Sequence, residues 1–124
     1  MEGKKENVIL DKSFAYAVRI IRLSQYLVEN KKEFILSKQL IRSGTSPGAV
    51  IRESQNAESK ADFVHKLRIA QKECDESIYW LELLNATDYL NKKEFESMRS
   101  DATELLKIIK SVIITTKKGL KNNS

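Results

Sequence analysis

The fold class that the sequence predicts is an all-α four-helix bundle. The 124 residues include one Pro and four Gly, which is too few turn formers for a many-stranded β fold. Apolar residues recur at steps of three and four along four segments, the spacing of amphipathic helices. Short connectors separate these segments and favour antiparallel neighbours. We therefore expect one domain, residues 1–124, with up-down-up-down helix order and a left-handed twist.

The first predicted helix covers about residues 12–30, with Asp11 as its N-cap. It carries two adjacent apolar stripes. The first contains Phe14, Ala17, Val18, Ile21 and Val28, and the second contains Tyr16, Ile20, Leu23 and Leu27. Two adjoining stripes form a wide apolar face, as expected of a helix that contacts two neighbours.

The second predicted helix covers about residues 34–56 and contains Pro47. Proline inside a helix removes one backbone hydrogen bond and costs about 3 kcal/mol or more. The preceding Ser43-Gly44-Thr45-Ser46 are poor helix formers. Because the apolar phase continues from Leu40 to Ile51, we expect a kink near Pro47. A break into two short helices is the alternative.

The third and fourth predicted helices cover about residues 60–85 and 92–118 and begin with recognisable caps. Ser59 with Asp62, and Asn91 with Glu94, have the spacing of a capping box. The predicted core stripe of the third helix is Val64, Leu67, Ala70, Cys74, Ile78, Leu81 and Leu84. That of the fourth is Phe95, Met98, Ala102, Leu105, Ile109, Val112 and Thr116. The fourth stripe has the 3.5-residue period of a supercoiled bundle helix. Residues 119–124 are expected to form a flexible basic tail.

The net charge of +5 is concentrated near the C-terminus. Basic and acidic side chains balance up to residue 106, and the excess consists of Lys107, Lys110, Lys117, Lys118 and Lys121. The lone Cys74 suits a reducing cytoplasm. The sequence shows neither a secretory apolar segment nor the run of about 20 apolar residues that a membrane helix needs. We expect a cytoplasmic protein without membrane association.

Carboxylates on the second and third helices are the only candidates for metal chemistry. A di-iron bundle needs two Glu-x-x-His elements and two further Glu, whereas His65 is the only histidine. We therefore predict no metal, no cofactor and no catalytic residue, and interpret these carboxylates as partners in ion pairs, because a buried carboxylate must be paired. The predicted structural or interface polar network is Arg42, Glu53, Arg68, Glu73, Glu76 and Trp80, with Arg52 as a further partner.

The C-terminal lysines are candidates for binding nucleic acid. Lys110, Lys117 and Lys121 follow steps of seven and four and share one helix face. The predicted nucleic-acid-binding residues are Lys110, Lys117, Lys118, Lys121, Arg42 and Arg52. In the alternative interpretation, the lysines provide favourable charge at a helix C-terminus and a solubilising tail.

A motif of polar and apolar positions joins the second and third helices. It comprises Gln39-Leu40-Ile41-Arg42-Ser43-Gly44-Thr45-Ser46, Ile51-Arg52-Glu53, Ser59-Lys60-Ala61-Asp62-Phe63, Lys66-Leu67, Ala70, Glu73, Glu76 and Tyr79-Trp80-Leu81. This motif resembles that of a bacterial family of four-helix-bundle proteins related to the large-subunit rRNA intervening-sequence protein. The sequence departs from the family at Pro47, where an aliphatic residue is usual, and at Val50, where Asn is frequent. The accessory protein of diversity-generating retroelements, which binds nucleic acid and a reverse transcriptase, is a more distant likeness.

The resemblance implies an up-down bundle that assembles into a homo-oligomer, with a pentamer favoured. It implies no settled activity. We expect a non-enzymatic oligomeric binding protein whose leading partner class is nucleic acid, RNA or DNA, through the basic end of the fourth helix. A protein–protein scaffold or adaptor without a nucleic-acid role is the alternative.

Overall fold

A computed structural model of the chain describes residues 2–123 and the side chains of residues 8–119. It contains four helices, α1 (Glu2–Lys31), α2 (Leu36–Ser54), α3 (Lys60–Ala86) and α4 (Lys92–Asn123). No strand occurs between residues 2 and 123. The all-α class and the four helical segments are therefore confirmed.

Each helix packs against the next helix along the chain, and α4 packs back against α1. α1 contacts α2 and α4, and α3 contacts the same two helices. Across the described residues, the backbones of the diagonal pairs, α1 with α3 and α2 with α4, do not approach each other. Side chains of α1 and α3 meet in the core, where the Tyr16 and Ser77 hydroxyls are hydrogen-bonded at 2.7 Å. The helices thus surround one shared core, as in a bundle. Its largest fully buried side chains are Tyr16, Ile9, Ile20, Leu27, Leu40, Ile51, Leu67, Leu81, Leu84, Leu90, Leu105 and Ile109.

α1 begins at Glu2, so the predicted start near residue 12 and the N-cap role of Asp11 are wrong. Ile9, only 1% exposed, adds an anchor to the core on the N-terminal side of Asp11. Tertiary packing of this kind extends a helix beyond its local start signal. The stripe that packs inward contains Tyr16 and Ile20, whereas Phe14 is 70% exposed. Only one of the two predicted stripes therefore belongs to the core.

Glu33 caps the start of α2 from the short connector after α1. Its carboxylate accepts hydrogen bonds from the backbone N–H groups of Ile35, Leu36 and Ser37, at 3.2, 3.0 and 2.7 Å. The Ser37 hydroxyl donates in return to the Glu33 carbonyl at 2.8 Å. Burial raises the pKa of the Glu33 carboxyl, but these hydrogen bonds outweigh it and hold the pKa below its ordinary value.

α2 is continuous from Leu36 to Ser54 with Pro47 buried inside it, so the alternative of a break into two short helices is wrong. The kink stays a prediction. The helix is also shorter than the predicted range of 34–56. Just before Pro47, Gly44 lies against Ile20 of α1, where an added Cβ would meet the Ile20 side chain at 2.6 Å. The small residue therefore allows α1 and α2 to approach closely.

The caps of α3 and α4 form as predicted. Asp62 N–H donates to the Ser59 hydroxyl at 3.0 Å. Asn91 N–H donates to the Glu94 carboxylate at 3.0 Å, and Glu94 N–H donates to the Asn91 side chain at 2.8 Å. This reciprocal pair is a capping box.

Both helices run further than predicted at their C-terminal ends. α3 ends at Ala86, one residue beyond the predicted limit, and α4 continues to Asn123 rather than ending near residue 118. The predicted flexibility of residues 119–124 stays a prediction, because the side chains after Gly119 lie outside the described residues. None of the helices, as far as they are described, is long and apolar enough to cross a membrane.

Candidate functional site: a basic face and a polar cluster

Cations from α3 and α4 meet in one shallow concavity of about 310 Å³. Arg68 and Lys72 of α3 line it together with Lys110 of α4, and Asp75 lies at the same place. Further towards the C-terminus of α4, a Cβ built on Gly119 would lie 3.6 Å from the Lys60 Nζ. The start of α3 and the end of α4 are therefore adjacent. We define the basic face as Lys60, Arg68 and Lys72 on α3 with Lys107, Lys110, Lys117 and Lys118 on α4.

The basic face contains cations without matching acids. α4 has no acidic residue after Glu104, and α3 has none between Phe63 and Lys72. Among the described side chains, no basic residue of this face forms an ion pair. Unpaired charges of one sign raise the local potential and attract a polyanion. Asp75 is the acid that reduces this potential at the concavity.

The structure places the predicted nucleic-acid-binding residues in two different regions. Lys110, Lys117 and Lys118 are exposed on α4, and the side chain of Lys121 lies outside the described residues. Arg42 and Arg52 are on α2, the helix diagonal to α4, and along the described chain the backbones of these two helices lie apart. The sequence interpretation did not include the α3 cations of the basic face. The lack of acids between Phe63 and Lys72 was their signal, but the predicted nucleic-acid-binding residues were on α4 and α2.

A polar cluster joins α2 to α3. The Arg42 guanidinium donates to Glu73 at 3.0 Å and also to Glu76. The Trp80 indole N–H donates to the same Glu76 oxygen that accepts from Arg42, at 2.9 Å. Tyr79 packs edge-on against Trp80, with ring centroids 5.2 Å apart. Arg42 is half-exposed whereas Glu73 is 19% exposed, so the cluster lies at the boundary between the core and solvent.

The remaining members of the predicted polar network lie apart from this cluster. Glu53 and Arg52 are exposed on α2, and Arg68 belongs to the basic face. No hydrogen bond or ion pair within the described residues links any of these three to Glu73 or Glu76. The structure therefore brings together Arg42, Glu73, Glu76 and Trp80. It does not bring Glu53 or Arg68 to them.

An apolar stripe runs along the outside of α1. Phe14, Ile21 and Val28 follow steps of seven and are 70%, 38% and 36% exposed. Phe14 also lines an open groove of about 760 Å³ between α1 and α2, which contains Arg52. We call Phe14, Ile21 and Val28 the α1 outer stripe.

Groups with intrinsic reactivity are placed in the core rather than in a site. Cys74 is fully buried, and burial raises the pKa of its thiol to about 12. Its Sγ donates to the Ala102 carbonyl at 3.6 Å. Among the described residues, no three His, Cys, Asp or Glu side chains form a group that could hold a metal ion. The predicted lack of metal, cofactor and catalytic residue stays a prediction.

Comparison with known proteins agrees with the family likeness seen in the sequence. A solved structure from Bacteroides thetaiotaomicron, a protein of unknown function from the S23 ribosomal protein family, is 52% identical to this chain. The match has a TM-score of 0.87 and covers 88% of this chain and 97% of that one. The search of curated proteins found no match. The family model of the 23S rRNA-intervening sequence protein matches residues 5–111, and the chain therefore belongs to that family.

Proposed function

We propose that this protein is a non-enzymatic, homo-oligomeric binding protein that binds nucleic acid through the basic face. The observation that carries the proposal is the convergence of unpaired cations from α3 and α4 around one concavity. Lysine and arginine that neutralise phosphates release condensed counterions, which gives affinity with little sequence preference. A cytoplasmic location is part of the proposal and is supported by the free thiol of Cys74.

The proposed arrangement is an antiparallel up-down-up-down bundle with left-handed twist. Paired positions support the antiparallel order. Lys12 and Arg19 of α1 bind Glu104 and Asp101 of α4, so the α4 residue number falls as the α1 number rises. In α1 and α2, Ser24 contacts Ser37, whereas Ser13 lies near Gly48.

The nucleic-acid proposal can be tested with two double variants at opposite ends of α4. Lys117→Gln/Lys118→Gln removes charge from the basic face, and Lys92→Gln/Lys93→Gln removes the same charge about 37 Å away along the helix. Fluorescence anisotropy with a mixed-sequence RNA, repeated over a range of salt concentrations, measures the binding constant and its salt slope.

The first variant should lower the logarithmic salt slope by about 0.9 for each phosphate that the protein no longer neutralises. The second variant should leave the slope unchanged. The proposal fails if the wild type shows no salt-sensitive binding. It fails equally if both variants weaken binding by the same amount, because net charge would then be the cause.

Homo-oligomerisation is supported by the α1 outer stripe. Exposed apolar side chains that recur along one face of a helix are typical of an interaction site. The expectation of a pentamer rests on the family resemblance. Native mass spectrometry of Ile21→Ser should show dissociation into smaller species, whereas Ile114→Ser on α4 should not, although Ile114 is 54% exposed. A wild type that is monomeric at micromolar concentration would contradict this part of the proposal.

A scaffold or adaptor for another protein is the second candidate, and the groove beside Phe14 favours it. The groove combines apolar side chains with the unpaired Arg52, a mixture typical of protein interfaces. In that case the double variant at Lys117 and Lys118 would retain the full activity of the protein in the cell, whereas Phe14→Ser would lose it.

The cluster of Arg42, Glu73, Glu76 and Trp80 is proposed to fix the register of α2 on α3. Because Arg42 is half-exposed, solvent screening limits the stabilisation from each ion pair to about 0–1 kcal/mol. Glu73→Gln/Glu76→Gln should lower the melting temperature or change the oligomeric state, and Glu82→Gln, exposed on the same helix, should do neither. If the double variant also keeps both properties, the cluster has no such role.

A further inference from the structure

We infer that the basic face takes double-stranded nucleic acid in preference to single strands, an inference that rests on the proposed function. The ligand that fits this face has two phosphate backbones at fixed positions. The cations of the basic face bind the phosphates, and no side chain contacts the faces of the bases. Both duplex RNA and duplex DNA present this chemistry.

The first argument is that the basic face contains no Phe, Tyr or Trp ring on which a base could stack. In α3 the sequence has none of these residues between Phe63 and Tyr79, and in α4 it has none after Phe95. Gln71 and Leu106 line the concavity between the cations. Proteins that bind single strands gain roughly five- to 150-fold in affinity for each base stacked on an aromatic side chain. A single strand finds no Phe, Tyr or Trp ring of that kind on this face.

Tyr79 is the exposed aromatic residue that comes next along α3, seven residues after Lys72. Its ring packs edge-on against Trp80 in the polar cluster. Asp75 stands between Lys72 and Tyr79 in the sequence of α3, and its carboxylate repels a phosphate chain that extends in that direction. Tyr79 therefore does not complete a stacking site for a strand bound at Arg68 and Lys72.

The second argument is the density and order of the charges. The α3 cations from Lys60 to Lys72 span about 18 Å and the α4 cations from Lys107 to Lys118 about 16 Å. A duplex offers one phosphate per roughly 1.7 Å of axis, twice the density of one strand, and its phosphates are already ordered. The cations of α3 and α4 therefore bind more phosphates on a duplex than on a single strand. The duplex also loses less conformational entropy on binding, because its backbones are already ordered.

The test compares three probes of about 20 base pairs or nucleotides, several times longer than the basic face. They are an RNA duplex of mixed sequence, the DNA duplex of the same sequence, and one RNA strand free of self-pairing. Fluorescence anisotropy with the full chain at roughly 50 to 200 mM KCl gives affinities and salt slopes. Tyr79→Ala is measured beside the wild type, because it removes the exposed ring without changing charge.

At 100 mM KCl we expect one or both duplexes to bind about tenfold tighter than the single strand, with steeper salt slopes. Tyr79→Ala should bind every probe like the wild type. Preference for one duplex would identify the helical form that fits. Equal or tighter binding of the single strand, or loss of its binding in Tyr79→Ala, would overturn the inference and leave the proposed function standing. If none of the probes binds at 50 mM KCl, the proposed function fails, and the duplex inference fails with it.

Discussion

Gly44→Ala should destabilise the protein, although alanine is normally the better helix former. The added methyl would lie 2.6, 2.8 and 2.9 Å from the Cγ1, Cγ2 and Cδ1 atoms of Ile20. Ile20 is completely buried, and a β-branched side chain has little rotamer freedom with which to move away. Either α1 and α2 must separate locally, or Ile20 must leave its preferred rotamer.

The magnitude follows from two opposing contributions. Overpacking in a filled core costs about 1–3 kcal/mol, and three contacts below 3.0 Å place Gly44→Ala at the upper end. Replacing glycine in a helix interior gains about 1 kcal/mol. We therefore expect a net loss of about 2 kcal/mol in the free energy of unfolding.

Urea denaturation followed by circular dichroism measures this loss, at one fixed protomer concentration because assembly would add to apparent stability. The denaturation midpoint should fall while the slope m stays constant. Gly119→Ala is the control, since its Cβ would meet the Lys60 Nζ at an ordinary 3.6 Å. The double variant Gly44→Ala/Ile20→Ala should be more stable than the sum of the single effects predicts, because the new methyl fills part of the space that Ile20 leaves. A Gly44→Ala variant as stable as the wild type would refute the steric reasoning.

Three further predictions concern buried titratable groups. Glu33→Gln should lose about 1–3 kcal/mol near neutral pH. Because the folded-state pKa of Glu33 is lowered, the difference from the wild type should shrink as pH falls below the ordinary pKa of 4.5, as urea titrations at pH 3–7 can show. Burial raises the pKa of Tyr16, so the wild type should lose stability above about pH 10, and Tyr16→Phe should lose less. At pH 8 the Cys74 thiol, with its pKa near 12 against an ordinary 9.0, should react with a disulfide reagent about a thousandfold more slowly in the folded chain than in guanidinium.

Features that depend on nearby residues could be predicted from the sequence. The N-cap at Ser59 and the capping box at Asn91 formed because each needs only a side chain and a backbone N–H three residues away. The core stripe of α4, from Met98 to Val112, also proved correct, because its strict period leaves one choice of buried face. Local chemistry was sufficient in each case.

Features that depend on tertiary packing could not be predicted in the same way. The predicted start of α1 was wrong because Ile9 is buried in a core that residues distant in sequence form. The two stripes of α1 were equally apolar, and only contacts with the neighbouring helices decide that Tyr16 faces inward and Phe14 outward. The α2 cap was missed because Glu33 is supplied from outside the helix, without the usual cap spacing. The α3 cations of the basic face were missed because they join Lys110 only through the packing of α3 on α4.

The pattern of paired and unpaired charges supports the proposed binding surface despite the modest net charge of +5. Lys12 pairs with Glu104 and Arg19 with Asp101 across α1 and α4, and Arg42 pairs with Glu73 across α2 and α3. These charges join helices within one chain and cancel at a distance. The cations of the basic face are unpaired and lie on α3 and α4.

The α1 outer stripe and the basic face therefore fit different partners. α1 and α3 are diagonal in the bundle, and in the described chain their backbones lie apart, so the stripe that contains Phe14 and the α3 cations belong to opposite corners of the bundle. Copies that join through α1 would leave Arg68 and Lys72 uncovered and would repeat them around the assembly. Repetition raises the effective concentration of each basic face for the next segment of a long polyanion. Weak, sequence-independent contacts by each subunit would then add up to tight binding by the oligomer. We therefore expect Ile21→Ser to lower both the number of subunits in the assembly and its affinity for nucleic acid.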